Sequence, residues 1–174
     1  MSTPIWFSGV DLTVLNLRHE SDINGHLGIE LTGYGPDWLE GRMPVDRRTR
    51  QPMGILHGGA SVVLAETLAS VAANLCVDPA GFFCVGQEVN ANHLRSVIEG
   101  YVTGVARAIH LGRTSQVWSI EIRDPAGRLT CVSRLTVAVV PRRHPAPAGQ
   151  HQTADHRTSA LATPKNRSLN INPR

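Results

Sequence analysis

Residues 54–76, GILHGGASVVLAETLASVAANLC, constrain this chain more than any other stretch. The run is rich in Ala and Leu and far too long for a strand, and from about Gly59 it reads as one helix. A helix that is apolar on nearly all sides has to be covered by other elements of the fold. Between Gly54 and Val77 the only Asp, Glu, Lys or Arg is Glu66, at the middle of the run. Taking a lone carboxylate out of water is costly, or it raises the carboxyl pKa. Glu66 has bland readings as a cap, a partner of a distant Arg or a solvent-facing residue. A charge centred in so apolar a helix seldom serves packing, so it reads as functional. A membrane span does not fit, because the run also carries His57, Asn74 and several Ser, Thr and Gly, and no second span exists.

Strand-forming sequence surrounds this helix. Val10–Asp22 reads as a short helix, with Leu12 and Leu15 set against a polar face. His26–Tyr34 reads as a strand, Gly35-Pro36-Asp37 as a turn, and Trp38–Val45 as the returning strand. A polar loop, Asp46–Gln51, is closed by Pro52. After Pro79-Ala80-Gly81 come four β-rich runs, Phe83–Arg95, Gly100–His110, Thr114–Asp124 and Arg128–Val140. Trp118, Ile120 and Ile122 alternate with polar neighbours, the pattern of a half-buried strand. Leu111-Gly112-Arg113 and Asp124-Pro125-Ala126-Gly127 read as hairpin turns, and Ser96–Glu99 as a corner. Strand, strand, long helix and four antiparallel strands make an α+β domain with the layout of the hotdog fold, a long central helix wrapped by an antiparallel sheet of about six strands. Such a sheet leaves an edge free to pair with a second copy.

Length and charge bound the rest. A chain of 174 residues that is 41% hydrophobic suits a single domain, here residues 1–141. Beyond Pro141 the sequence is rich in Pro, Ala, Thr, Asn and Arg, with no aromatic and no hydrophobic period, so residues 142–174 are expected to be a disordered tail. From Arg142 onward there are six Lys/Arg and one Asp, so the tail holds +5 and the remainder −2 of a net +3. The domain itself is therefore mildly acidic, which argues against nucleic-acid binding. Three scattered cysteines, Cys76, Cys84 and Cys131, form neither a disulfide framework nor a zinc site, and no secretory leader is visible. A cytoplasmic location is expected. The domain's histidines show no metal-ligand spacing, so no metal is expected.

The chemistry concentrates around the helix. His57-Gly58-Gly59 sits at its start, where the first N–H groups lack intrahelical acceptors and carry the positive end of the dipole. Those donors suit a carbonyl oxygen that becomes an oxyanion. The glycines could equally just permit a tight turn. Gly58 and Glu66 are eight residues apart, roughly 12 Å along a helix at about 1.5 Å per residue. One reacting carbon cannot touch both within a single chain. It can if a second copy supplies one of them, which places the active site at a dimer interface. Ser70, one turn past Glu66, could orient the carboxylate or a water, or simply pack. Gln51 could donate its amide to the same carbonyl. His93 could line a pocket or be structural. No GxSxG, GxGxxG or GxxxxGK[ST] motif is present.

The run Gln51-Pro52-Met53-Gly54-Ile55-Leu56-His57-Gly58-Gly59-Ala60-Ser61, followed by Leu64-Ala65-Glu66-Thr67, resembles the hotdog-fold acyl-CoA thioesterases of the phenylacetate and 4-hydroxybenzoyl-CoA branch. Within it, the chain is most similar to the proofreading and dihydroxynaphthoyl-CoA thioesterases. Asn90-Ala91-Asn92-His93 and His110-Leu111-Gly112-Arg113 extend the likeness, which covers about residues 5–141. The resemblance implies that Glu66 is the nucleophile or general base and that the Gly58 N–H polarises the carbonyl, with Gln51 and His57 alongside. It implies that Ser70 positions water or the leaving step. Val85, Gly86, His93, Arg95, Ser96, His110, Gly112 and Arg113 match residues that hold the substrate or its coenzyme A, with Arg95 and Arg113 as phosphate partners. The substrate it implies is an aryl or aroyl thioester of coenzyme A, or one on a carrier protein, with no bound cofactor. It also implies a homotetramer built from dimers. The competing reading is a hotdog protein that binds acyl-CoA without catalysis, and the discriminating residue is Glu66.

Overall fold

The computed structural model describes residues 3–142. Three helices and six strands follow in the order α1 (Leu12–Arg18), α2 (Ile23–Leu27), β1 (Glu30–Tyr34), β2 (Trp38–Pro44), α3 (Gly58–Leu75), β3 (Phe82–His93), β4 (Tyr101–Leu111), β5 (Ser115–Arg123) and β6 (Leu129–Pro141). The strands form one antiparallel sheet in the order β1-β2-β4-β5-β6-β3. The two expected hairpin turns join β4 to β5 and β5 to β6. The expected tail lies outside the described residues, apart from Arg142. Its backbone N–H donates to the Gly81 carbonyl, its Nε donates to the Pro79 carbonyl, and its guanidinium sits 5.2 Å from the Phe83 ring centroid.

The segment before β2 differs from the sequence expectation. A strand was expected from His26, but Ile23–Leu27 is a short helix and the strand begins at Glu30. Asp22 caps the helix by accepting from the Asn24 N–H at 2.7 Å, and Gly28 ends it with φ 72, a left-handed conformation that glycine adopts without a Cβ clash. Those two local signals outweigh the alternating pattern of the residues between them.

Helix α3 lies against the sheet and packs on β2 through β6. Its buried residues, Ala60, Ser61, Leu64, Ala65, Leu68, Ala69, Ala72 and Ala73, recur at three- and four-residue spacing and define one face. The other face, with Val63, Glu66, Thr67, Ser70 and Val71, is half-exposed in the single chain. Close approach depends on two glycines paired across β2 and β4, Gly41 and Gly104. A Cβ at either would come within 2.7 Å of a Leu68 methyl, so the pair forms a dimple that Leu68 fills. Leu39, Met43, Trp118, Ile120, Ile122 and Leu135 complete the core. The cysteines lie in or beside this core, and desolvation, with Cys84 nearby, pushes the Cys76 thiol up to about 12. Burial pushes the Cys84 and Cys131 thiols up as well, which favours the protonated form of all three.

Each outer strand is clasped by an asparagine from a helix. Asn16 of α1 donates to the Leu31 carbonyl at 3.0 Å and accepts from the Leu31 N–H at 2.9 Å. Asn74 of α3 does the same to Cys84 of β3, accepting at 2.9 Å and donating at 3.3 Å. Each amide thus pairs with an edge residue as a neighbouring strand would.

Candidate active site

The first hollow lies at the start of α3 and has a volume of about 610 Å3. The loop that leads into it is tied down along its length. Thr49 Oγ1 donates to the Pro44 carbonyl at 2.7 Å, the His57 N–H donates to Thr49 at 2.8 Å, and the Leu56 N–H donates to Val97 at 2.8 Å. Hydrogen bonds from Arg48 hold the Asp46 carboxyl down at about 2, so it stays ionised and keeps the turn closed. Gln51 Oε1 accepts from the Met53 N–H at 2.8 Å, which leaves the Nε2 amide as the group Gln51 can present to a ligand. His57 caps α3, with Nδ1 accepting from the Gly59 N–H at 2.8 Å. That bond puts the proton of the neutral ring on Nε2. Gly58, the first helical residue, keeps a backbone N–H with no intrahelical acceptor. The His93 ring rests on it so closely that a Cβ at Gly58 would stand 2.7 Å from His93 Nε2. Arg95 and Ser96 also line this hollow, and Arg95 Nη1 is steadied by the Leu129 carbonyl at 2.7 Å.

Glu66 belongs to a second hollow, about 330 Å3, on the half-exposed face of α3. Ser70 lines it too, one turn away, with Val63, Thr67 and Val71 from α3 and Ile23 and Asn24 from α2. The carboxylate is half-buried in the single chain rather than fully enclosed. It lies over β3 at Gly86, where a Cβ would come 2.9 Å from Glu66 Oε1. Strict alternation along a regular strand would put Gln87 on one face with Val89, Ala91 and His93. In the structure the β3–β6 register slips between Gly86 and Glu88, so Gln87 is the extra residue of a bulge. Val89, Ala91 and His93 keep one face opposite the buried Leu135, Ser133 and Cys131, and the slip brings Gly86 under Glu66.

The residues singled out by the sequence thus divide into two groups. Gln51, His57, Gly58, His93, Arg95 and Ser96 line the first hollow, and Glu66 and Ser70 the second. Val85 and Gly86 lie toward the Phe82 end of β3, the end beneath Glu66. Val85 stands in register with Ala138, which pairs with Ser115, so the β4–β5 turn bearing His110, Gly112 and Arg113 flanks that same end. There His110 covers Gly112 so tightly that a Cβ would meet its Nε2. Sequence reasoning missed Leu94 and Thr130 in the first hollow and His19, Asn24 and Thr67 in the second. Thr67 and Asn24 are joined by a 2.6 Å hydrogen bond across 43 residues, a contact with no local signature.

A six-stranded antiparallel sheet on one long helix, with a helix-start glycine and a mid-helix glutamate, defines a hotdog protein of the thioesterase class. The family profile described as Thioesterase superfamily matches residues 53–131. The chain is 52% identical over 136 residues to the 1,4-dihydroxy-2-naphthoyl-CoA hydrolase of Escherichia coli, covering 78% of this chain and 99% of that protein. It is 50% identical over 136 residues to the proofreading thioesterase EntH of Cronobacter turicensis, covering 78% and 98%. The crystal structure of a mutant of thioesterase PA1618 from Pseudomonas aeruginosa superposes with a TM-score of 0.79 at 52% identity, covering 79% of this chain and 99% of that one. The chain belongs to the thioesterase superfamily and is an enzyme of that class.

Proposed function

We propose that the chain hydrolyses aryl or aroyl thioesters of coenzyme A, or of a carrier protein, to the free acid and thiol, at a site shared by two copies. The observation that carries this reading is the division of the site. Glu66 and the Gly58 N–H open into different hollows of one chain, and β3, an outer strand, runs past both. Antiparallel pairing of β3 with a second copy would set the Gly58 end of one chain beside the Glu66 end of the other. The dimer would then hold two sites, and pairs of dimers would give the tetramer implied by the sequence resemblance. The close relative in Escherichia coli is named for an aroyl-CoA substrate, which supports the same class here.

In this reading the thioester carbonyl accepts from the Gly58 N–H at the positive end of α3, with the Gln51 amide beside it. Glu66 of the other copy attacks the carbonyl carbon, the C–S bond breaks, and coenzyme A leaves as thiolate. Water then cleaves the mixed anhydride. Alternatively Glu66 takes a proton from a water that attacks directly. Both routes need an ionised carboxylate, and both end in acid plus thiol. The His57 Nε2–H faces the same chemistry as a donor, and Arg95 and Arg113 offer charge to the phosphates of coenzyme A. The reaction runs in the cytoplasm, with no resident cofactor.

The test is thiol release from benzoyl-, hydroxybenzoyl-, dihydroxynaphthoyl-, phenylacetyl- and medium-chain acyl-CoA by the unaltered chain and by Glu66→Gln. The expected result is a preference for the aroyl members and a fall in kcat of roughly a thousandfold in the variant, with binding of the thioester kept. Full activity in Glu66→Gln would remove the catalytic assignment and leave an acyl-CoA binder.

A further inference from the structure

The hollow around Glu66 has one polar wall that hydrolysis does not use. Val63, Val71 and Ile23 make its apolar sides, while His19, Asn24 and Thr67 supply polar groups. The hydrogen bonds in this wall fix its chemistry. Asn24 is 6% exposed, and its Oδ1 is taken by the Thr67 hydroxyl at 2.6 Å. His19 Nδ1 lies 2.7 Å from Asp22 Oδ2 and 3.2 Å from Asn24 Nδ2. Burial tends to raise the Asp22 pKa, but hydrogen bonds from His19 and from Asn24 outweigh it and keep the carboxylate ionised. An ionised carboxylate only accepts, so the 2.7 Å contact places a proton on His19 Nδ1, and the 3.2 Å approach of Asn24 Nδ2, itself a donor, is then a packing contact and not a hydrogen bond. In the neutral ring Nε2 is then a hydrogen-bond acceptor, and among the described residues it has no partner.

His19 and Val71 line both this hollow and a larger one of about 590 Å3 between α1 and the end of α3, and together form the partition between them. Glu66 and His19 line the same hollow, so it offers space for an acyl group whose carbonyl carbon meets Glu66. We propose that His19, held by Asp22, is a specificity-determining residue whose Nε2 accepts a hydrogen bond from a hydroxyl on that acyl group. The enzyme would therefore prefer a hydroxylated aroyl thioester over the same ring without the hydroxyl. This rests on the assignment of Glu66 as the reacting carboxylate.

The experiment compares kcat and KM for benzoyl-CoA and the three hydroxybenzoyl-CoA isomers in the unaltered chain, His19→Phe, His19→Gln and Asp22→Asn. Phe keeps the partition without an acceptor, Gln restores an acceptor, and Asn removes the charge that sets the ring's proton. The expected result is a preference of about tenfold in kcat/KM for one hydroxylated isomer, as one added hydrogen bond would supply. The preference should fall to near one in His19→Phe, through KM of the hydroxylated thioester, and return in part in His19→Gln. Asp22→Asn should lie between. A preference that survives His19→Phe, or equal losses on all four thioesters, would overturn the role of His19 while leaving the thioesterase reading intact. Thiol release from none of the four by the unaltered chain would overturn both.

Discussion

At Gly58 the site has room for a hydrogen and nothing more. The His93 ring occupies the space a Cβ would need, so glycine serves here by its size. Gly58→Ala would push His93 aside and shift the N–H proposed to polarise the carbonyl. The expected outcome is a loss of about a hundredfold in kcat/KM, in thiol-release assays, with the thermal midpoint nearly unchanged. Glu66 and Gly58 were both legible in the sequence, one as a lone charge in an apolar run and the other as a glycine at a helix start. The contact between Gly58 and His93 was not, because it joins the start of α3 to the end of β3 and has no local signature. Asn24 and Thr67 were invisible for the same reason. Nothing in either neighbourhood marks a partner 43 residues away.

At the scale of elements, the long helix and the four C-terminal strands were read to within a residue or two, because alternation and helical composition run through their whole length. The short α2 was misread, since five residues hold too little periodicity to outvote a cap and a left-handed glycine. The two asparagine clasps could not be seen at all, as their partners are backbone groups. Asn74 ties the end of α3 to the start of β3 and so fixes the height of Glu66 above Gly86. Asn74→Ala would leave the Cys84 N–H and carbonyl without that partner. The expected cost is about 1–2 kcal/mol in urea unfolding, with a smaller fall in turnover as the helix loosens on the strand.

For the whole molecule, the consequence of the divided site is that neither half is expected to work alone. Glu66→Gln and Gly58→Ala chains, each nearly inactive, should regain activity when unfolded and refolded together. Mixed dimers would carry one site built from two unaltered halves. In a random mixture half the dimers are mixed, and each has one good site of two, so recovery of about a quarter of full thiol release is expected. Refolding each variant separately before mixing should restore none.

The sheet's outer strands bear on how far the proposed pairing could extend. An open β margin is a template on which copies can stack without end, and proteins that keep one need some way to limit growth. Here Asn16 closes β1 at Leu31, and Asn74 closes β3 at Cys84. The short margin is thereby occupied at Leu31, and the long one at Cys84, near its start. On the proposed dimer, the asparagines would set where a second copy can begin to zip along β3 and would hinder growth from β1 into a fibre.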